Sequence, residues 1–218
     1  MSSLDPSEKR RLLSEALMAE EGIAFRSALP GIESEEETSL RAAEEVGARI
    51  VCLFCVAGAA EDVRNTFWRE YLEEHELWEH LTPQETSLLA RAEPDERANI
   101  DASWRSEALF VLMWAAGLFE ELPIPREQVD SGIIVGRFPP PDASPWPFVQ
   151  GLTLRSKTEI LDAADLIYRL HWEVRHAARH GKKPPGGLDP GVVQERHHAL
   201  NWLIRYGEQE WDVVSTDT

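Results

Sequence analysis

The chain has 218 residues, with 39 acidic against 22 basic side chains, a formal charge of −17, 43% apolar residues and eight tryptophans. It is long enough to bury a self-sufficient core without disulfide or metal staples, and its composition is neither collagen-like nor that of a disordered chain. The net negative charge has the wrong sign for wrapping a phosphate backbone, which disfavours general nucleic-acid binding.

In chain order, the first predicted element is an amphipathic helix near 6–22, with Leu12, Leu13, Ala16, Leu17 and Met18 on its apolar side. Helical spacing and strong helix formers then predict helices over 35–60, 62–80 and 95–119. Between the last two, Thr82-Pro83-Gln84-Glu85 supplies a capping hydroxyl, a proline suited to the first helical position and a Glu that returns the capping bond. Ser156-Lys157-Thr158-Glu159 repeats the capping box and opens a helix to about His180, where Gly181 and then Pro184 stop it. Asp189-Pro190 opens a last helix, which ends near Tyr206 and Gly207. The core helices are expected at 35–60, 97–119, 157–180 and 190–206.

Seven prolines between Glu120 and Thr153 forbid a long helix there. Ile133-Ile134-Val135 could form a short strand, but one strand makes no sheet. Trp146, Phe148 and Phe138 give this stretch apolar anchors that a free linker lacks, so it is expected to be an ordered connection and a candidate lid. The start, MSSLDPSEKRR, has no apolar signal core, and the longest apolar runs are shorter than the roughly 20 residues of a spanning helix. A soluble, cytoplasmic chain with no membrane partner is therefore expected. Cys52 and Cys55 lie within one of these apolar runs and are expected to pack in the core without redox function.

Polar residues on apolar faces are informative, because burying a charge costs several kcal/mol unless it is paired. In the 95–119 helix, Glu107 falls within a stripe of Ile100, Trp104, Val111, Trp114 and Leu118; in the 157–180 helix, His171 interrupts Ile160, Ala164, Ile167, Val174 and Ala178. Arg196 shares a face with Val192, Ala199 and Leu203, with Glu195 and Trp202 on its flank. Glu107, His171, Glu195 and Arg196 are thus candidates for one shared polar cluster. Such a cluster would either fix helix register or serve as an acid–base or ligand site. Glu173-x-x-His176 and Glu195-x-x-His198 match a di-metal spacing. However, Glu173 and His176 share a face with Asp162, Asp165, Arg169 and His180 that reads as solvated, so no metal and no cofactor is expected. Trp211, Val213 and Val214 suggest that the tail docks on the body and closes the core, the alternative being that it presents Asp212 and Asp217 to the cluster or to a cationic partner.

The segments Leu29–Glu33, Trp104–Leu109, Asp165–Trp172, Glu195–Leu203 and Trp211–Thr218 resemble domain-of-unknown-function family 4272. The resemblance runs over nearly the whole chain from about residue 22. It implies a bacterial, cytoplasmic, single-domain protein, but carries no catalytic or binding residue with it.

The expected fold is all-α, a single-domain, orthogonally packed bundle of about seven helices with one long proline-rich connection. Residues 1–22 are expected as a peripheral helix and 23–218 as the domain. The leading functional expectation is an acidic binding or regulatory protein for a basic protein partner, of the toxin-neutralising kind, with Trp104, Trp172, Trp202 and Asp212 as binding residues. The alternative is a small acid–base enzyme or ligand-binding protein using Glu107, His171, Glu195 and Arg196. No catalytic residue is assigned.

Overall fold

The computed structural model describes residues 5–61, 66–91 and 96–218. Nine α-helices lie among them: α1 (Pro6–Glu20), α2 (Ala43–Glu61), α3 (Phe67–Glu74), α4 (Pro83–Leu89), α5 (Glu96–Ala115), α6 (Ser131–Val135), α7 (Trp146–Gly151), α8 (Lys157–Arg179) and α9 (Pro190–Leu203). There is no strand among these residues, so the fold is all-α. α2 packs on α5, α5 on α9, α9 on α8, and α1 lies against α8. Leu109, Leu112, Ile160, Leu161, Leu170, Leu200 and Leu203 form the shared interior. No described helix is long and apolar enough to cross a membrane.

Capping fixes the ends of several helices. Ser156 accepts from Glu159 N while Glu159 reaches back to Ser156 N, and Thr82 and Glu85 form the same reciprocal pair at α4. Asp189 accepts from Gly191 N and Val192 N at the start of α9. α5 stops where Gly117 takes φ 75° and Leu118 N bonds Met113 O, the left-handed ending that glycine permits.

Several boundaries differ from expectation. Residues 35–42 are not helical: Lys157 Nζ donates to the Glu35 and Thr38 carbonyls and Arg41 N to Leu203 O, so tertiary bonds override local helix propensity. In the expected 62–80 helix, residues 62–65 lie outside the described residues, and α3 ends where Glu76 takes φ 58°. α9 stops three residues early, before Arg205 turns left-handed at φ 54°. Ile133-Ile134-Val135 is helical (α6) and not a strand.

The proline-rich connection lies on the body. Phe138 stacks on Phe54 with ring centroids 3.7 Å apart, Trp146 Nε1 donates to His75 O at 2.8 Å, and Val149 is buried. Two expected faces are corrected. Ile100 is half exposed, outside the apolar stripe of α5. The expected solvated side of α8 is largely covered: Asp165, Arg169 and Glu173 are buried, Arg169 pairs with Asp165 at 2.8 and 3.0 Å, and its Nη2 donates to Pro30 O. The segment around Leu29–Ile32 forms that cover.

Candidate functional site: a two-lobed cleft around Trp211

The four residues expected to form one cluster go to three places. Glu107 and Arg196 meet, with Arg196 Nε 3.0 Å from Glu107 Oε2; Glu107 Oε1 also accepts from Val129 N, and Arg196 Nη1 donates to Pro123 O. Both side chains are buried, and together they fasten the proline-rich connection to α5 and α9. His171 instead faces His197, their Nδ1 atoms 2.7 Å apart. Glu195 lies in a separate polar hollow. Consecutive residues on α9 point about 100° apart, so Glu195, Arg196 and His197 necessarily face three different neighbours.

That polar hollow, about 200 Å³, is walled by Gln84, Trp104, Arg105, Glu195, His198, Trp211 and Asp212. On the other side of Trp211 and Asp212 lies a second hollow of about 300 Å³, which reaches Arg49, His80, Trp202 and Glu210. Of the expected binding residues, Trp104, Trp202 and Asp212 therefore line this cleft. Trp172 does not: it lies parallel to His176 at 4.8 Å, with the Arg26 guanidinium 5.0 Å above its ring.

Local chemistry builds the cleft from distant segments. Trp211 opens a single 3₁₀ turn, Trp211–Val213, and its ring meets Trp202 edge-on at 5.2 Å and His198 at 4.8 Å. Asp212 Oδ2 accepts from Gln84 N at 3.1 Å, which places a carboxylate at the N-terminus of α4, where exposed amides favour negative charge. The tail is tied further by Asn201 Nδ2 to Ser215 O and by Ser215 N to the Gln209 side chain.

The floor is ionic. Glu85, fully buried, receives Arg49 Nη2 at 2.5 Å, Arg105 Nη1 at 3.4 Å and Thr82 N at 3.0 Å. The Arg49 guanidinium lies 5.2 Å from the centre of the Trp211 ring. Burial pushes His198 down to about 4, helped by Arg105 and opposed by Asp212, so its ring is neutral at pH 7. Sequence reasoning missed Arg49 and the second role of Glu85. The available signal was a lone arginine within the apolar run of α2.

Trp104 reaches the cleft because Gly191 leaves room for it: a Cβ at Gly191 would lie 2.7 Å from the Trp104 ring. Gly191→Ala is therefore expected to push the indole outward and destabilise the fold by about 1–3 kcal/mol. Urea unfolding checks the loss, and near-ultraviolet circular dichroism checks the ring's displacement.

Three polar atoms of the cleft walls are buried with no hydrogen-bond partner: the donors Arg49 Nε and Trp202 Nε1 and the acceptor Asp212 Oδ1. Unmet groups of this kind are rare in folded proteins and each needs a physical reason. Five carboxylates, of Glu45, Glu79, Glu195, Glu210 and Asp212, line the two lobes, of which Glu45 is paired with Arg41 and Arg205 and Glu210 with Arg41; the two guanidiniums on the walls, Arg49 and Arg105, both lean on Glu85. The arrangement suits a ligand that brings positive N–H donors together with carbonyl acceptors.

Among the described residues, no group of three His, Cys, Asp or Glu side chains is placed to hold a metal ion. Cys52 and Cys55 are buried in the core, and burial pushes the Cys52 thiol up to about 12 and raises that of Cys55 as well, so neither is a thiolate at neutral pH.

The family model "Domain of unknown function (DUF4272)" matches residues 10–214, a span that begins within α1 rather than near residue 22. No curated protein matches the chain, and no solved structure does. Three of the five segments that carry the family resemblance supply walls of the cleft: Trp104–Leu109, Glu195–Leu203 and Trp211–Thr218.

Proposed function

We propose that this chain, which belongs to the domain-of-unknown-function family DUF4272, is a cytoplasmic bacterial binding protein that takes a basic segment of a protein partner in the cleft around Trp211. The observation that carries this reading is the set of three unmet polar atoms, two donors and one acceptor, between tryptophan faces and carboxylates. A peptide answers both needs at once. A lysine or arginine head donates to Asp212 and Glu195 and rests on an indole face, while backbone carbonyls accept from Trp202 Nε1 and Arg49 Nε. The charge of −17 steers a basic partner towards the protein, as in a regulatory or toxin-neutralising subunit.

The test is fluorescence polarisation of labelled Arg- and Lys-rich peptides against acidic peptides of the same length. The basic peptides are expected to bind, and to weaken as salt rises to about 0.5 M. Asp212→Asn, which keeps an acceptor for Gln84 N, should weaken them about tenfold or more. Equal binding of basic and acidic peptides would overturn the proposal.

A second reading, acid–base chemistry, is supported by one observation: neutral His198 shares the smaller hollow with Asp212 and Glu195. His198→Gln separates the two readings, because it removes a proton acceptor while leaving the carboxylates that hold a basic peptide.

A further inference from the structure

α1 contributes Leu13, Ser14 and Leu17 to the wall of a second kind of cavity, about 320 Å³, which it shares with α8, α9 and residues 122–125. Leu166, Ile167, Leu170 and Leu200 make its interior apolar, in contrast to the cleft at Trp211. Two guanidiniums line this mostly apolar space, Arg10 from α1 and Arg196 from α9, together with the carboxylates of Glu159 and Asp162.

Arg10 is 3% exposed, with Nε on Asp162 Oδ1 at 2.9 Å and Nη2 at the 3.5 Å limit from Glu35 Oε1, while its Nη1 is buried without any acceptor. Arg196 uses Nε for Glu107 and Nη1 for Pro123 O, and no bond from its Nη2 is seen among the described residues. Arg10 thus keeps a buried charged donor unmet, which costs more than leaving a neutral one, and the Arg196 guanidinium lines the same space. The two carboxylates on the wall are already engaged: Asp162 by Arg10, and Glu159 by Ser156 and Arg155.

We infer that this cavity binds a small apolar carboxylate, its chain against Leu166, Leu170 and Leu200 and its carboxyl group taking the donors of Arg10 and Arg196. A pocket with mostly apolar walls and a few fixed polar groups is the usual form of a small-molecule site. A carboxylate forms charge-assisted bonds to guanidinium roughly twice as strong as those of a neutral oxygen. α1 serves as its cover, with Leu13 and Leu17 partly exposed at the mouth. This site is independent of the peptide cleft.

The experiment is calorimetric titration of the full chain with decanoate and, separately, decanol. Decanoate is expected to bind at least about tenfold more tightly than decanol. Arg10→Met, which keeps the aliphatic stem, should weaken decanoate about tenfold and leave decanol unchanged. Leu13→Glu changes a residue 54% exposed, so it leaves the fold intact while placing a like charge at the mouth, and should also weaken decanoate. Decanoate that fails to bind at about 1 mM, or binds no better than decanol, or binds Leu13→Glu as tightly as the unchanged chain, overturns the inference. Asp212→Asn should bind decanoate normally, so failure of the peptide reading and failure of this one give different patterns.

Discussion

Arg196→Ala is expected to destabilise the protein by about 3–5 kcal/mol, the cost of leaving a fully buried carboxylate without its counter-charge. Arg196 is fastened at 3.0 Å to Glu107, which is 0% exposed, and its guanidinium lies 5.5 Å from the Phe110 ring centre. The loss also frees Pro123 O, so the proline-rich connection loses its tie to α9 while Glu107 still holds Val129 N. Urea denaturation measures the change. The double variant Glu107→Leu/Arg196→Met is expected to recover most of the stability, because an apolar pair of similar volume removes both buried charges together. If Arg196→Ala unfolds no more easily than the unchanged chain, the pair is not the clamp that the geometry describes.

Acid should weaken the fold well above the range in which ordinary carboxylates titrate. Burial lowers His171 to about 4, with Arg175 adding to the effect, and lowers His197 to about 3, with His171 adding and Asp217 opposing. With their Nδ1 atoms 2.7 Å apart, one ring must donate and the other accept, so a proton on the acceptor sets two N–H groups against each other. Both rings stay neutral in the fold, whereas in the unfolded chain they take up protons near pH 6.5. Their contribution is therefore complete above pH 6.5 and declines as the pH falls from 6.5 towards 4, at up to about 2.7 kcal/mol per pH unit for the pair. Unfolding free energies measured across that window should show the slope. His171→Gln keeps a hydrogen-bonding partner for His197 and removes one of three such titrations, His198 being the third, so the measured slope should fall by about a third. An unchanged slope would show that the acid sensitivity arises elsewhere.

The parts of the fold legible in the sequence are those governed by local chemistry. Ser156 with Glu159, Thr82 with Glu85, and Asp189 each mark a helix start through atoms within three residues of one another. The start of α2 was not legible, since Lys157 and Leu203 hold residues 35–41 in a non-helical path from far along the chain. The same limit explains the misread face of α8. Asp165 and Arg169 form an i,i+4 pair that looks solvated until the Leu29–Ile32 segment covers it.

The site was legible in composition and not in grouping. Periodicity marks Glu107, His171, Glu195 and Arg196 as polar residues out of place, but does not say which neighbour each one faces. Glu195 and Arg196, consecutive on one helix and about 100° apart, could not both have served a single cluster. Trp104 reads as part of the apolar stripe of α5 and Trp202 as the flank of the α9 face, and their meeting with Asp212 at Trp211 depends on a tail whose path no periodic pattern records.

The bond from Gln84 N to Asp212 joins positions 128 residues apart. A ribosome releases the chain from its N-terminus, so the first turn of α4 emerges long before the carboxylate that completes it. Until residues 211–215 leave the exit tunnel, the lobes of the cleft have no common wall. If the cleft takes a basic segment as proposed, only chains whose synthesis has passed that point can take it, and half-made copies cannot compete for it.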